Sequence, residues 1–230
     1  MVLLLSSSGH FYNGNHRIRL TTMSKKTGLL LVSLIALQLN AQEKAVDSTS
    51  VQWNFSAWAE VFIIPEEKDI FNPTFYARHG SLHLEGRYNY EDRNTVSTWV
   101  GRKFEFGKDV EFVFVPMAGF IFGNTDGMAP GFETEIAYRK FDFYSESEYV
   151  LDFASRENNF FYMYSELAFK PIDPLRTGIM AQRTKLVETE HDIQRGLFAE
   201  YYFKRFRAGV FYFSPFSSGN FWIASVSVDF

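Results

Sequence analysis

The fold of this chain is decided by its last ten residues, Phe221-Trp222-Ile223-Ala224-Ser225-Val226-Ser227-Val228-Asp229-Phe230. From Trp222 to Phe230 every second residue is apolar, whereas Ser225, Ser227 and Asp229 stand between them. Successive side chains of a β-strand point to opposite faces of the sheet. The alternation therefore predicts a strand with one apolar face and one largely polar face.

The same period of two recurs along the chain, and no stretch shows an apolar stripe at helical spacing. In residues 82–91, Leu82, Leu84, Tyr88 and Tyr90 share a face, and the charged residues of the segment lie on the other. Similar alternation runs through residues 51–63, 160–169 and 197–204, while residues 110–122 are apolar on both faces. The sequence therefore predicts an all-β protein.

Two features favour a membrane barrel over a soluble sheet. Ionised residues occupy mid-strand positions on the polar faces, whereas the apolar faces run for several positions with almost none. Aromatic residues gather near strand ends, as at Tyr88 and Tyr90 and at Tyr201 and Phe203, where an interfacial girdle of a membrane barrel lies. A soluble periplasmic β-sandwich or ligand-binding barrel stays open as an alternative, and it requires Trp53, Phe55 and Leu84 to point into a core.

An alternating last strand that finishes in Phe230 resembles the assembly signal of Gram-negative outer-membrane β-barrels. The resemblance implies that the barrel-assembly machinery reads Trp222, Val226, Val228 and Phe230, and that outer-membrane lipids surround the barrel. The junction Asn40-Ala41-Gln42 resembles signal-peptide ends that are common in bacteroidete-type bacteria. The resemblance therefore implies an outer-membrane location, and it says nothing about oligomeric state.

The amino-terminal residues have the pattern of an export signal. Met23-Ser24-Lys25-Lys26 is followed by an apolar run, Gly28 to Leu37, and a small residue before Gln42. That order is typical of a cleaved secretory signal peptide, and the run is too short to span a membrane as a helix. We expect residues 1–22 to be an over-called start, 23–41 the signal peptide, 42–50 a periplasmic tether and 51–230 the barrel.

Charge and cysteine content exclude several classes of function. The net charge of the whole chain is −4, and residues 1–41 contain four basic and no acidic residues, so the exported chain carries −8. That balance excludes nucleic-acid binding through bulk positive charge. The absence of cysteine excludes a disulfide framework, a thiolate metal site and a cysteine nucleophile.

A sheet that crosses a membrane must close into a barrel, and both chain ends then lie on one side when the strand number is even. Twelve runs fit this condition: about 51–64, 71–78, 81–91, 95–106, 110–122, 132–143, 147–154, 159–169, 175–186, 193–203, 206–214 and 220–230. Ten strands remain the alternative if 71–78 is a loop. Tight connections, including one at 144–146, alternate with longer ones, including 123–131, as expected for such barrels.

The polar faces define a candidate lumen. We predict that it is lined by seven acidic residues, two basic residues and one tyrosine: Glu60, Glu85, Arg87, Glu111, Glu148, Asp152, Tyr162, Glu166, Glu200 and Lys204. Ion pairs and trapped water would fill a structural barrel, whereas an acidic pore would favour cations. Eight-stranded barrels are filled by side chains and sixteen-stranded ones leave a channel, so twelve strands favour a filled or narrow interior.

Other chemistry finds little support in the sequence. His79 and His83 fall at the periplasmic end, and no nucleophile is placed beside either, so we predict no catalytic residue and favour a non-enzymatic barrel over a lipid hydrolase or acyl transferase. The acidic segment 188–192 lacks the spacing of a known metal site, and 123–131 lacks the Lys-Ser/Thr ending of a nucleotide loop. The sequence favours a non-enzymatic barrel without a metal or a cofactor, and a lipid-modifying enzyme is the alternative.

Overall fold

A computed structural model describes residues 51–186, 192–217 and 219–230. The predicted over-called start, signal peptide and tether, as well as residues 188–191 of the acidic segment, lie outside this part of the chain. The described strands are β1 (Trp53–Ile63), β2 (Ile70–His79), β3 (Leu82–Tyr88), β4 (Thr95–Arg102), β5 (Phe104–Phe106), β6 (Glu111–Gly123), β7 (Gly127–Tyr138), β8 (Phe141–Asp152), β9 (Phe160–Ile172), β10 (Leu175–Leu186), β11 (Asp192–Phe203), β12 (Phe206–Phe213) and β13 (Phe221–Asp229). No helix among these residues is long and apolar enough to cross a membrane.

The strands form one closed antiparallel barrel, which is twelve-stranded when β4 and β5 are counted together. Apart from β4 and β5, which do not pair with each other, each strand pairs with its neighbours in sequence. In addition, β1 pairs with β13 and β4 pairs with β6. β4 and β5 both pair with β6, on either side of Lys103, so together they count as one strand of the barrel wall. The predicted number of twelve strands is confirmed, and the ten-stranded alternative is wrong because β2 pairs with β1 and β3.

The connections differ between the two ends of the barrel. We call the end formed by residues 80–81, 107–110, 139–140, 173–174 and 204–205 the turn end. We call the end formed by residues 64–69, 89–94, 124–126, 153–159, 214–217 and 219–220 the loop end. β1 begins and β13 ends at the turn end. The predicted alternation of tight and longer connections is therefore confirmed, although the connection 124–126 is short.

The predicted bounds of two strands were wrong. β7 begins at Gly127 and β8 at Phe141, and they meet at residues 139–140, not at 144–146. Glycine and proline at residues 127–131 suggested a loop, but these residues pair with β6. Small residues are needed there because a Cβ added to Gly131 would lie 3.1 Å from Cζ3 of Trp99, whose indole fills the adjoining interior.

β3 also ends earlier than predicted, at Tyr88. Asn89 has a φ of 56°, and its side-chain amide donates to the carbonyl of Phe71 at 2.9 Å. Asparagine tolerates this left-handed conformation, which stops the strand alternation. Tyr90 consequently turns into the barrel and does not join an outer aromatic girdle, contrary to the prediction.

The outer surface of the barrel is apolar and the interior is polar. Exposed side chains around the wall include Phe75, Ile179, Leu197 and Val210, whereas Glu85, Arg87 and Glu200 are among the most buried. Aromatic side chains lie on the outer surface near both ends, with Tyr201, Phe203 and Phe206 at the turn end and the stacked pair Tyr212–Trp222 at the loop end. The β-sandwich alternative is wrong, since one closed sheet carries its apolar residues outside.

Candidate functional site

One buried guanidinium organises the charged residues between β3 and β8. Arg87 donates from Nε to Glu85 at 2.6 Å and from Nη2 to Glu146 at 2.7 Å, and it also bonds Glu148. Its carbon Cζ lies 4.2 Å from the ring centroid of Tyr90. Because β3 and β8 lie on different parts of the wall, these contacts tie the barrel together across its interior.

Glu91, in the connection between β3 and β4, adds a further carboxylate to this cluster. It lies 3.7 Å from Arg87 and accepts from Ser97 at 2.5 Å and from the Trp99 indole N–H at 3.0 Å. Burial raises the pKa of the Glu91 carboxyl. The connection 89–94 therefore folds inward, and four carboxylates surround a single guanidinium.

A second cluster occupies the interior nearer the turn end. Arg176 contacts Asp142 at 2.6 Å, Glu166 at 2.6 Å and Glu200 at 2.7 Å. Arg207 lies 3.6 Å from Glu200 and places its guanidinium 4.1 Å from the centre of the Trp58 indole. Lys170 lies 3.5 Å from Asp142, so three basic and three acidic side chains meet in this cluster.

Among the described histidines, the surroundings of His83 come closest to those of a catalytic or metal-binding histidine. Its Nε2 atom and carboxylate oxygens of Glu85 and Glu133 lie within 4.8 Å of one another. Arg78 donates to His83 Nδ1 at 3.4 Å, which leaves Nε2 as the protonated nitrogen that faces Glu85. Arg87 also holds Glu85, so these hydrogen bonds favour an ion-paired cluster over a metal centre.

The enzymatic alternative needs a hydroxyl beside a histidine, and the described residues do not provide one. His83 bonds Arg78 and Glu85, and the ring of His79 bonds the carbonyl of Val51 at 3.1 Å. His191 lies outside the described part of the chain. Within that part, no serine or threonine hydroxyl hydrogen-bonds to a histidine, so the geometry offers no activated nucleophile.

The interior contains a cavity of about 540 Å³ that reaches the turn end. Its lining includes Glu111, Lys170, Lys204 and Arg205, which lie in or beside the tight turns. Among described residues of the loop-end connections, only Tyr90 contributes to it. The cavity therefore opens at the turn end.

Apolar side chains close much of the loop end. One cluster includes Phe62, Ile64, Ile70, Phe213 and Phe221, which flank two loop-end connections. The other contains Trp99, Met117, Ile121, Ala129, Val150 and Phe160. With the inward connection 89–94, these clusters separate the cavity from the solution at the loop end.

The predicted lumen residues fall into three groups. Glu60, Tyr162 and Glu166 line the cavity, and Glu85, Arg87, Glu148 and Glu200 are buried in the two charged clusters. Glu111 and Lys204 are exposed at the mouth of the cavity. Asp152 lies at the loop end, where its carboxylate accepts from the backbone N–H groups of Ala154 and Ser155 at 2.7 and 2.9 Å, so it caps a connection instead of lining the cavity.

Sequence reasoning missed several members of the clusters. Glu146 was missed because residues 144–146 were predicted to form a turn, whereas Glu133 lies inside the predicted strand 132–143 and was not singled out. Arg176 and Arg207 stand at alternating positions of β10 and β12 that face inward, so their strand periodicity could have revealed them. Trp222, Val226 and Phe230 of the predicted assembly signal lie on the outer surface, with Val228 only partly exposed on the same face.

Comparisons with known proteins support the architecture. No protein-family model and no curated protein matches this chain. A KdgM porin and the same porin in complex with disordered oligogalacturonate are each 10% identical to it, at TM-score 0.54, over 77% of this chain and 99% of theirs. A structure from work on the in-meso crystallization of membrane proteins is 12% identical, at TM-score 0.51, over 76% of this chain and 83% of its own. At these identities the likeness shows a shared barrel fold.

Proposed function

We propose that this chain is a non-enzymatic barrel of the Gram-negative outer membrane whose narrow, acidic lumen passes small cations in preference to anions. The observation that carries the proposal is the inversion of the usual arrangement, with apolar side chains outside the closed wall and carboxylates inside. A closed sheet leaves no unpaired backbone edge for hydrocarbon to meet. The turn end would then face the periplasm and the loop end the outside.

The sign of the interior charge supports a preference for cations. Arg87 faces four carboxylates, whereas Arg176, Arg207 and Lys170 balance Asp142, Glu166 and Glu200. The excess of carboxylates therefore surrounds Arg87. A low-dielectric wall focuses the field of such an excess along the lumen. Oligogalacturonate, the ligand present with one of the similar porins, is a polyanion, and this interior would repel it.

A structural barrel that does not conduct is the second candidate. The apolar clusters and the inward connection 89–94 that close the loop end favour it. The proposed conduction requires this end to admit small ions, so we expect small conductance steps. Measured conductance and its ion selectivity decide between the conducting and the structural barrel.

The proposal includes the route of assembly that the resemblance implies. Phe230 closes the seam of the barrel, since its N–H and carbonyl bond the carbonyl and N–H of Phe55 at 2.9 and 3.0 Å. Trp222, Val226 and Phe230 of β13 are exposed on the outside, where the assembly machinery and then lipid would contact them.

Conductance in planar bilayers tests the proposal. The purified barrel should give discrete steps, and a KCl gradient should shift the reversal potential toward that of K⁺. Glu60→Gln removes a cavity carboxylate, so it should lower the permeability ratio of K⁺ to Cl⁻, whereas Asp109→Asn in an exposed turn outside the cavity should leave the ratio unchanged. Anion selectivity of the unmodified barrel, or silence at every voltage, would contradict the proposal.

A further inference from the structure

We infer that the cavity contains a specific site for a small organic ammonium ion at Glu60, entered from the turn end. This inference deepens the proposed function and rests on it for the side of the membrane from which the ligand arrives. It is carried by three polar groups at the cavity that lack partners, by the charges around them and by the aromatic wall.

The first observation is a set of unsatisfied polar atoms on adjoining strands. Glu60 lines the cavity, and no hydrogen bond or ion pair joins its carboxylate to another described residue. Asn72, its direct cross-strand partner, is only 3% exposed, and its buried Oδ1 has no hydrogen-bond partner among the described residues. Buried polar groups are normally satisfied, so the Asn72 oxygen points to a ligand that donates a hydrogen bond, and the half-buried Glu60 beside it offers that ligand a charged acceptor.

Trp58 supplies a third unsatisfied atom, since its buried indole N–H lacks a partner within the described chain. Trp58 and Glu60 are two residues apart on β1 and both line the cavity. The ligand can therefore carry an acceptor, such as a hydroxyl or a second polar group, beyond its donor. The site therefore accepts a small alkyl ammonium ion and offers a donor to any further acceptor on the ligand.

The charges around Glu60 decide the sign of the ligand. Glu146 and Glu166 line the cavity together with Glu60, and Arg207 lines it as well. Arg207 already lies against the Trp58 ring and 3.6 Å from Glu200. A cationic donor at Glu60 would relieve this excess of negative charge, whereas an anion would add to it.

The wall of the site favours an organic cation over a metal ion. Tyr162 and Tyr164 line the cavity with Trp58, and Tyr164 is held in place because its hydroxyl donates to Glu166 at 2.6 Å. Aromatic faces attract ammonium groups. Calcium requires six to eight oxygen ligands, and one carboxylate with one amide oxygen falls short of that number.

Size and access fit a solute of low molecular mass. The cavity of about 540 Å³ lies within the range of small-molecule sites. Its mouth contains Glu111 and Glu135, exposed carboxylates that would draw cations toward the opening. The apolar clusters narrow the loop end, so a solute of this size enters from the turn end.

Calorimetric titration of the purified full barrel in detergent with putrescine tests the inference. Putrescine should bind, whereas butane-1,4-diol, of similar size but uncharged, and succinate should not. Glu60→Gln should weaken putrescine binding about tenfold or more, because it removes a charge-assisted hydrogen bond in a buried site. Asn72→Ala should weaken it about threefold, in line with the loss of one neutral hydrogen bond.

Glu111→Gln is the matched control, since this carboxylate lines the same cavity but is exposed at its mouth. It should change the affinity less than about twofold, as expected for a screened surface charge. Heat-modified migration in gels verifies that each variant forms a barrel. Equal weakening of putrescine binding by Glu60→Gln and Glu111→Gln would overturn the inference in favour of a general attraction of the acidic cavity for cations. Binding of the diol as strong as that of putrescine would overturn it by showing that the charge of the ligand has no role.

The outcome also separates this inference from the proposed function. Putrescine binding that depends on Glu60, in a barrel that never conducts, would support the site and contradict the channel. Cation-selective conductance without putrescine binding would support the channel and overturn the site.

Discussion

Replacing Arg87 with methionine should lower the free energy of unfolding by roughly 3–5 kcal/mol, the usual cost of removing one partner from a buried ion pair. Arg87 is 3% exposed and contacts Glu85, Glu146 and Glu148. Methionine fills similar space but leaves these carboxylates without a cation in a site that water barely reaches. Denaturant unfolding in lipid vesicles, followed by tryptophan fluorescence, measures the change.

Arg93→Met provides the control for this prediction. Arg93 pairs with Glu67 at 2.7 Å, but both side chains are about two-fifths exposed, so the loss should stay within about 1 kcal/mol. Adding Glu148→Gln to Arg87→Met should recover part of the loss, because it removes one of the stranded charges. A loss for Arg87→Met no larger than that of Arg93→Met would show that the cluster does not stabilise the barrel.

The second large effect concerns the outer surface. Val210→Arg should lower the free energy of unfolding by about 2–4 kcal/mol, the cost of arginine on the lipid face near the midplane of a membrane barrel. Val210 is half exposed on the outside of β12, between Phe206 at the turn end and Tyr212 at the loop end. The same vesicle unfolding assay measures it.

Phe206→Arg is the matched control, on the same face of the same strand but at the aromatic rim. There the arginine reaches the interface, so the cost should fall to about 0–1 kcal/mol. If Val210→Arg is as mild as Phe206→Arg, no hydrocarbon surrounds the middle of the barrel wall.

The sequence was sufficient for the architecture because period-two alternation is a local property of each strand. The alternation in residues 222–230 and 82–88 predicted strands that the structure contains as β13 and β3. The need for an even strand number predicted β2 and a barrel of twelve strands. The prediction from sequence failed where a local signal was ambiguous. Glycine and proline at residues 127–131 were read as a loop, yet they form β7 beneath Trp99.

The site was harder to predict because its contacts join distant strands. Alternation puts Glu85 and Arg87 on one face of β3, but the bond from Arg87 to Glu148 crosses 61 residues and the width of the barrel. The inward turn of Tyr90 depends on the left-handed conformation of Asn89, which single-strand periodicity does not report. The unsatisfied Asn72 and Trp58 beside Glu60 emerge only from packing in three dimensions.

Fluorescence quenching of single-cysteine variants tests most directly whether acyl chains surround the wall and water reaches the interior. The chain has no native cysteine, so Ile179→Cys and Val210→Cys on the outside and Ser227→Cys in the cavity can each be labelled alone. In vesicles, labels at 179 and 210 should be quenched by brominated acyl chains and not by aqueous iodide, and the label at 227 should show the reverse. Iodide quenching at 179 and 210 without quenching by brominated lipid would contradict the membrane barrel.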